Sequence, residues 1–161
     1  MAWPWQRSLG EEVSIVATVE LPRSMAIRHS SHQILNPFDD TKLATLGQAI
    51  GLEEGQQTLD LACGKGEMLC TWARDHGIAG TGVDINPPFV AAAQERAAEL
   101  GVSSRITFVH DDATDWVSTD RVDLAACLGA TWIGGGVPGT IELLRRSLRP
   151  GGMLLIGEPF W

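Results

Sequence analysis

The sequence predicts an α/β fold, a parallel sheet with helices on both faces, and three observations carry that prediction. From residue 40 onward, five short apolar runs alternate with segments of helical spacing. That alternation is the pattern of strands joined by crossover helices. A glycine-rich turn follows the first run, at the point where a strand feeds a helix. The length of 161 residues suits one domain, and the 44% of hydrophobic residues supplies one sizeable core.

The elements follow in order. Met1 to Gln6 is apolar and Trp-rich, but Pro4 interrupts it and no long apolar stretch follows, so it is a poor targeting signal. Val13–Val19 alternates weakly, as a strand that covers a sheet edge would, within an extension that runs through residue 23. The domain proper is expected over 24–161. Asp39 and Asp40 are N-cap candidates for a helix with Leu43, Leu46 and Ile50 on one face, stopped by Gly51. Thr58–Ala62 is the first strand. Met68, Leu69, Trp72 and Ala73 then have helical spacing. Gly80–Asp84 is the second strand. Asn86 caps a helix that has Pro87 at its first position and runs to Leu100. Ile106–Val109 and Val122–Ala126 are the third and fourth strands. Pro138–Leu148 is expected as a helix with Ile141, Leu144 and Leu148 inward. A turn over Arg149–Gly152 then leads to a fifth strand, Met153–Ile156. In such a sheet the strand C-terminal ends, and any ligand, share one edge.

Composition narrows the function classes. The net charge is −8, from 12 Lys and Arg against 20 Asp and Glu, so the chain is a poor non-specific binder of nucleic acid or anionic membrane. No apolar run reaches the about 18 residues of a transmembrane helix. The three cysteines, Cys63, Cys70 and Cys127, have no metal-ligand spacing and read as reduced structural thiols. No metal is expected, and the expected compartment is the cytoplasm.

The main motif is Leu59-Asp60-Leu61-Ala62-Cys63-Gly64-Lys65-Gly66-Glu67. Small residues there let backbone N–H groups at a helix start approach a ligand closely. A P-loop needs Ser or Thr after Gly-Lys, and Gly66 stands there instead. A dinucleotide turn needs Gly-x-Gly-x-x-Gly, whereas the small residues fall at 62, 64 and 66. Taken alone, the motif also suits a plain tight strand–helix turn. Two later positions add to it. Asp84 ends the second strand, where a carboxylate can accept from ribose hydroxyls. His110-Asp111-Asp112-Ala113 follows the third strand.

On these residues the chain resembles the class I S-adenosylmethionine (SAM)-dependent methyltransferases, with Ala62 in place of the first glycine of an acidic-x-Gly-x-Gly-x-Gly turn. The resemblance implies a Rossmann-like class I methyltransferase fold and SAM as cofactor, with S-adenosylhomocysteine as product. It implies that Asp60, Ala62, Gly64 and Gly66 shape the turn at the methionine part, that Asp84 with Ile85 holds the ribose, and that Asp112 with Ala113 holds the adenine, Asp111 being a neighbour able to substitute. Leu128 flanks the methionine part. Ser30–Phe38, Glu67–Gly77, Gly129–Ile133 and Gly157–Trp161 are similar to a YjhP-type bacterial subgroup of this family, over residues 29 to 161. The family fold closes with two more strands. The resemblance therefore implies a chain that stops short at its C-terminus and leaves the fifth strand as an open edge, able to self-associate.

Methyl transfer from a sulfonium is an in-line displacement that needs alignment and a dry site, with a general base only for some acceptors. The catalytic group is not identified. His32, Trp132 and Glu158 are candidates, joined by His110 and by Asn36 on the lid side. A lone histidine at a strand end is more often a structural hydrogen-bonder, and Trp132 is equally suited to plugging its loop. Lys65 either meets the cofactor carboxylate or faces solvent. Gly134-Gly135-Gly136 suits a gating loop or a simple turn. The expected activity is methyl transfer to a small-molecule acceptor. The alternatives are a catalytically silent SAM- or nucleotide-binding module, or a fragment that needs a partner.

Overall fold

The computed structural model describes Ile34, Leu35 and residues 39–158. The expected extension 1–23, the Val13–Val19 segment, His32 and Asn36 lie outside the described residues. Among those described, the order is α1 (Asp40–Ala49), β1 (Gln57–Leu61), α2 (Glu67–His76), β2 (Ala79–Asp84), α3 (Pro87–Glu99), β3 (Ile106–His110), β4 (Val122–Leu128), a 3-10 turn (Thr131–Gly134), α4 (Val137–Arg145) and β5 (Leu148–Gly157).

The sheet is parallel throughout, in the order β3-β2-β1-β4-β5. The chain steps outward from β1 to β3, then returns to place β4 on the other side of β1. Strand order reverses between β1 and β4, and ligands in such sheets bind at the C-terminal ends of the strands flanking that reversal. The expected α/β architecture is therefore observed.

Two apolar layers hold the sheet. On one face α1, α2 and α3 bury Leu43, Leu69, Trp72 and Ala93 against Phe108, Leu124 and Ala126. On the other, α4 buries Leu143 and Leu144 against Leu59, Leu61 and Ala125. Each fully buried Leu contributes about 2 kcal/mol from removed apolar surface. Trp72 is wholly buried, and its indole N–H donates to the Leu43 carbonyl at 3.0 Å, which fastens α2 to α1. Asp39 caps α1 as expected, its carboxylate accepting from Lys42 N at 2.8 Å.

Three expectations need correction. Asn86 stands at the N-cap of α3, but its side chain makes no capping bond; its own N–H donates to Asp84 Oδ1 at 2.9 Å instead. The last helix ends at Arg145, and its buried residues are Thr140, Leu143 and Leu144 rather than Ile141 and Leu148. Ser147 ends it: its carbonyl accepts Val122 N at 2.9 Å and so enters the β4 ladder. Pro150 adds to this, because the residue before a proline is pushed out of helical geometry. Leu148 consequently opens β5. The expected turn at Arg149–Gly152 lies inside that strand as an irregularity, between the pairs Val122↔Leu148 and Leu124↔Met153.

Candidate functional site

The site starts at the last residues of β1. Asp60 pairs in register with Gly82 of β2 and Ala126 of β4, so it sits at the centre of the sheet. Its side chain is buried and its Oδ1 has no hydrogen-bond partner. Burial, and then the neighbouring Asp84 carboxylate, push its pKa up to about 8.

The chain turns sharply beyond Leu61. Ala62, Gly64 and Gly66 have φ of 60°, 57° and 70°. Glycine adopts this left-handed region freely, whereas Ala62 does so at a cost of roughly 1–2 kcal/mol. The turn is pinned to β2 by Cys63 N donating to Val83 O at 3.0 Å, and closed by Gly66 N donating to Cys63 O at 3.0 Å. Gly64 N donates to Asp84 Oδ2 at 2.8 Å. Asp84 thus serves two backbone donors, one on each oxygen. Its pKa is still raised, because burial outweighs the two N–H groups and the nearby His110.

Past the turn, α2 begins with Glu67. This buried carboxylate receives Arg96 of α3 in a fork, Nε to Oε2 at 2.8 Å and Nη2 to Oε1 at 2.9 Å. The pair anchors the first turn of α2 and leaves the glycine turn to face the sheet edge. Sequence reasoning missed this pair. Its members lie 29 residues apart, and no local pattern links them.

The third strand end adds an acidic turn. Asp111 N donates to Asp84 O at 3.1 Å. Asp112 Oδ1 accepts Thr114 N at 2.9 Å, and Asp111 Oδ1 accepts Asp112 N at 2.8 Å. Ala113 is buried behind them. His110 Nε2 lies 3.0 Å from Ile85 O. Asp60, Ala62, Gly64, Gly66, Asp84, Ile85, Asp112, Ala113 and Leu128 all fall at the C-terminal ends of β1 to β4 or in the loops that leave them.

After β4, Gly129 N donates to Gly157 O at 2.6 Å, joining the loops beyond β4 and β5. Glu158 is already engaged: its Oε1 accepts Thr131 N at 2.8 Å. Thr140 Oγ1 donates toward Thr131 O at 2.9 Å from the other side. The three glycines form a hydrogen-bonded turn, with Gly135 N on Trp132 O and Gly136 N on Thr131 O. Trp132 projects from it and is 70% exposed, so it does not plug its loop. Cys63 and Cys127 lie close to Asp60, and burial pushes both thiols up, that of Cys127 to about 12. Among the described residues no group of His, Cys, Asp and Glu is arranged to hold a metal ion, and no helix is long and apolar enough to cross a membrane.

Comparison with known proteins accords with this geometry. Residues 58–152 match a family described as "Methyltransferase domain". The chain is 54% identical over 143 residues to the uncharacterized protein YjhP of Escherichia coli, covering 89% of this chain and 58% of that one. It is also similar to a SAM-dependent methyltransferase of Geobacter sulfurreducens solved in complex with S-adenosylhomocysteine, at 61% identity and a TM-score of 0.86, over 88% of this chain and 57% of that one. A SAM-dependent methyltransferase of Thiobacillus denitrificans, solved with the same compound, shares 57% identity at a TM-score of 0.86 over the same shares. The chain thus spans a little over half the length of these relatives.

Proposed function

The chain belongs to the methyltransferase-domain family, and from that premise we propose that the whole protein moves a methyl group from SAM to a small-molecule acceptor, releasing S-adenosylhomocysteine. Residues 24–161 are the cofactor-binding domain in this reading, preceded by an extension over 1–23, and the protein works in the cytoplasm. The carrying observation is the C-terminal edge of the sheet, where a left-handed small-residue turn stands between two buried aspartates.

The residues present fit the cofactor. Asp60 Oδ1 is buried and unpartnered, as a group awaiting a cation would be. Asp84 uses one lone pair on each oxygen and, of the about four acceptor positions of a carboxylate, keeps the others for ribose hydroxyls. The turn at Ala62, Gly64 and Gly66 takes the methionine part, with Leu128 alongside. Ile85 lines the ribose, and Asp112 with Ala113 takes the adenine.

When bound, the cofactor supplies an electrophilic methyl on a sulfonium. This chain's residues hold it in line and keep water away, which is where most of the rate arises. Trp132 offers an aromatic wall on the acceptor side, held from behind by Glu158 through Thr131 N. The net charge of −8 favours a small acceptor over nucleic acid.

Calorimetry with S-adenosylhomocysteine tests the reading. Saturable binding is expected, and Asp84→Ala is expected to weaken it about 10- to 100-fold, the range for lost hydrogen bonds to a charged group. Absence of binding by the folded chain would overturn it.

A further inference from the structure

The group that stands out is Asp60. A carboxyl that is 4% exposed, with one oxygen unpartnered, is expensive to keep ionised. The titratable groups facing it give no relief. From β2 comes Asp84, itself an acid. From the turn comes Cys63 and from β4 Cys127, both pushed up chiefly by burial and so kept as neutral thiols. Glu158 acts on Cys127, and His110 lies beyond Asp84. From α2, Glu67 is committed to Arg96. Among the described residues the arginine ion pairs all go to other carboxylates.

We propose that Asp60 is protonated in the free chain and gives its proton to solvent when the cofactor's amino-acid ammonium group is seated, so that cofactor binding is coupled to proton release. This rests on the reading of the site as a SAM site. The step balances simply: the carboxyl O–H bond breaks, the proton goes to buffer, and a carboxylate–ammonium pair replaces the neutral acid. Nothing is oxidised or reduced. The raised pKa of about 8 agrees with the neutral acid, and an adjacent cation pulls such a pKa down. At neutral pH the site thus exchanges one positive charge for another, and cofactor affinity rises with pH until Asp60 is ionised in the free chain as well.

The test is calorimetry of S-adenosylhomocysteine near pH 7 in two buffers of different ionisation enthalpy, whose difference counts the protons released. Close to one proton is expected with the parent chain, none with 5′-methylthioadenosine, which lacks the ammonium group, and none with Asp60→Asn. The variant also separates Asp60 from His110. In parallel, carbon-13 NMR of the aspartate-labelled chain without ligand is expected to show one carboxyl titrating near 8 that disappears in Asp60→Asn. Binding without proton release, or a free chain whose Asp60 titrates in the ordinary carboxylate range, overturns the coupling and leaves the cofactor reading intact. No binding of S-adenosylhomocysteine overturns the cofactor reading and the coupling together, and the ligand-free NMR titration tells the two failures apart.

Discussion

The two ends of the sheet treat acidic side chains in opposite ways. At the N-terminal end of β4, Asp123 accepts Gln57 N at 2.6 Å and meets the Arg149 guanidinium in an ion pair. Around it, Arg121 donates to the carbonyls of Arg146 and Leu148, and Arg105 to that of Gly77. At the C-terminal end, Asp60 and Asp84 face each other with backbone N–H groups as the donors to Asp84. Asp60 and Asp123 lie on adjacent strands of one sheet, so strand geometry does not explain the contrast. One end is neutralised from within and serves stability. At the other, two buried carboxylates raise each other's cost of ionisation, and carboxylates perturbed in this way mark a functional edge.

Substitutions can break this contrast, and the largest effect belongs to Asp60. Its folded pKa of about 8 lies above its unfolded value, so the folded state holds an extra proton between the two. Its contribution to stability is complete below the unfolded pKa and is lost as pH rises through about 8. The parent's stability is expected to fall across that window by up to about 1.4 kcal/mol per pH unit from this group. Asp60→Asn is expected to remove that component, which chemical denaturation from mildly acidic to alkaline pH will show as a flatter profile. The opposite end gives the next effect. Asp123→Ala removes the acceptor of the Gln57 N–H and the partner of the half-exposed Arg149 guanidinium; about 1 kcal/mol of stability should go, with affinity for S-adenosylhomocysteine unchanged. A drop in affinity there would mean that the two ends are coupled rather than separate. The smallest effect sharpens the comparison. Ala62→Gly relieves a left-handed alanine, offset by the greater freedom glycine has when unfolded, for a net gain of about 0.5–1 kcal/mol, read as a raised melting temperature with binding retained.

Much of this was legible in the chain because the information is local. The spacing of Leu43 and Leu46, the small residues at 62, 64 and 66, and Pro87 at a helix start each act within a few neighbours, and each expectation holds. Where tertiary partners decide, the sequence is silent. Ser147 ends α4 because Val122 takes its carbonyl. Asn86 offers a capping side chain, yet the Asp84 carboxylate organises that turn. Glu158, a candidate from its place at the end of the fifth strand, accepts Thr131 N through Oε1, a bond its spacing does not announce. The bond from Gly64 N to Asp84, twenty residues on, is a device that spacing alone does not reveal.

The position of β1 has a consequence for how the chain is made. Its two neighbours are β2, which follows soon after, and β4, whose Asp123 is 66 residues beyond Gln57. At a synthesis rate of about 5–20 residues per second, one side of this buried, leucine-bearing strand waits roughly 3–13 s for its partner to leave the ribosome. A strand enclosed on both sides in the finished protein thus keeps one side open to wrong pairing for seconds during birth.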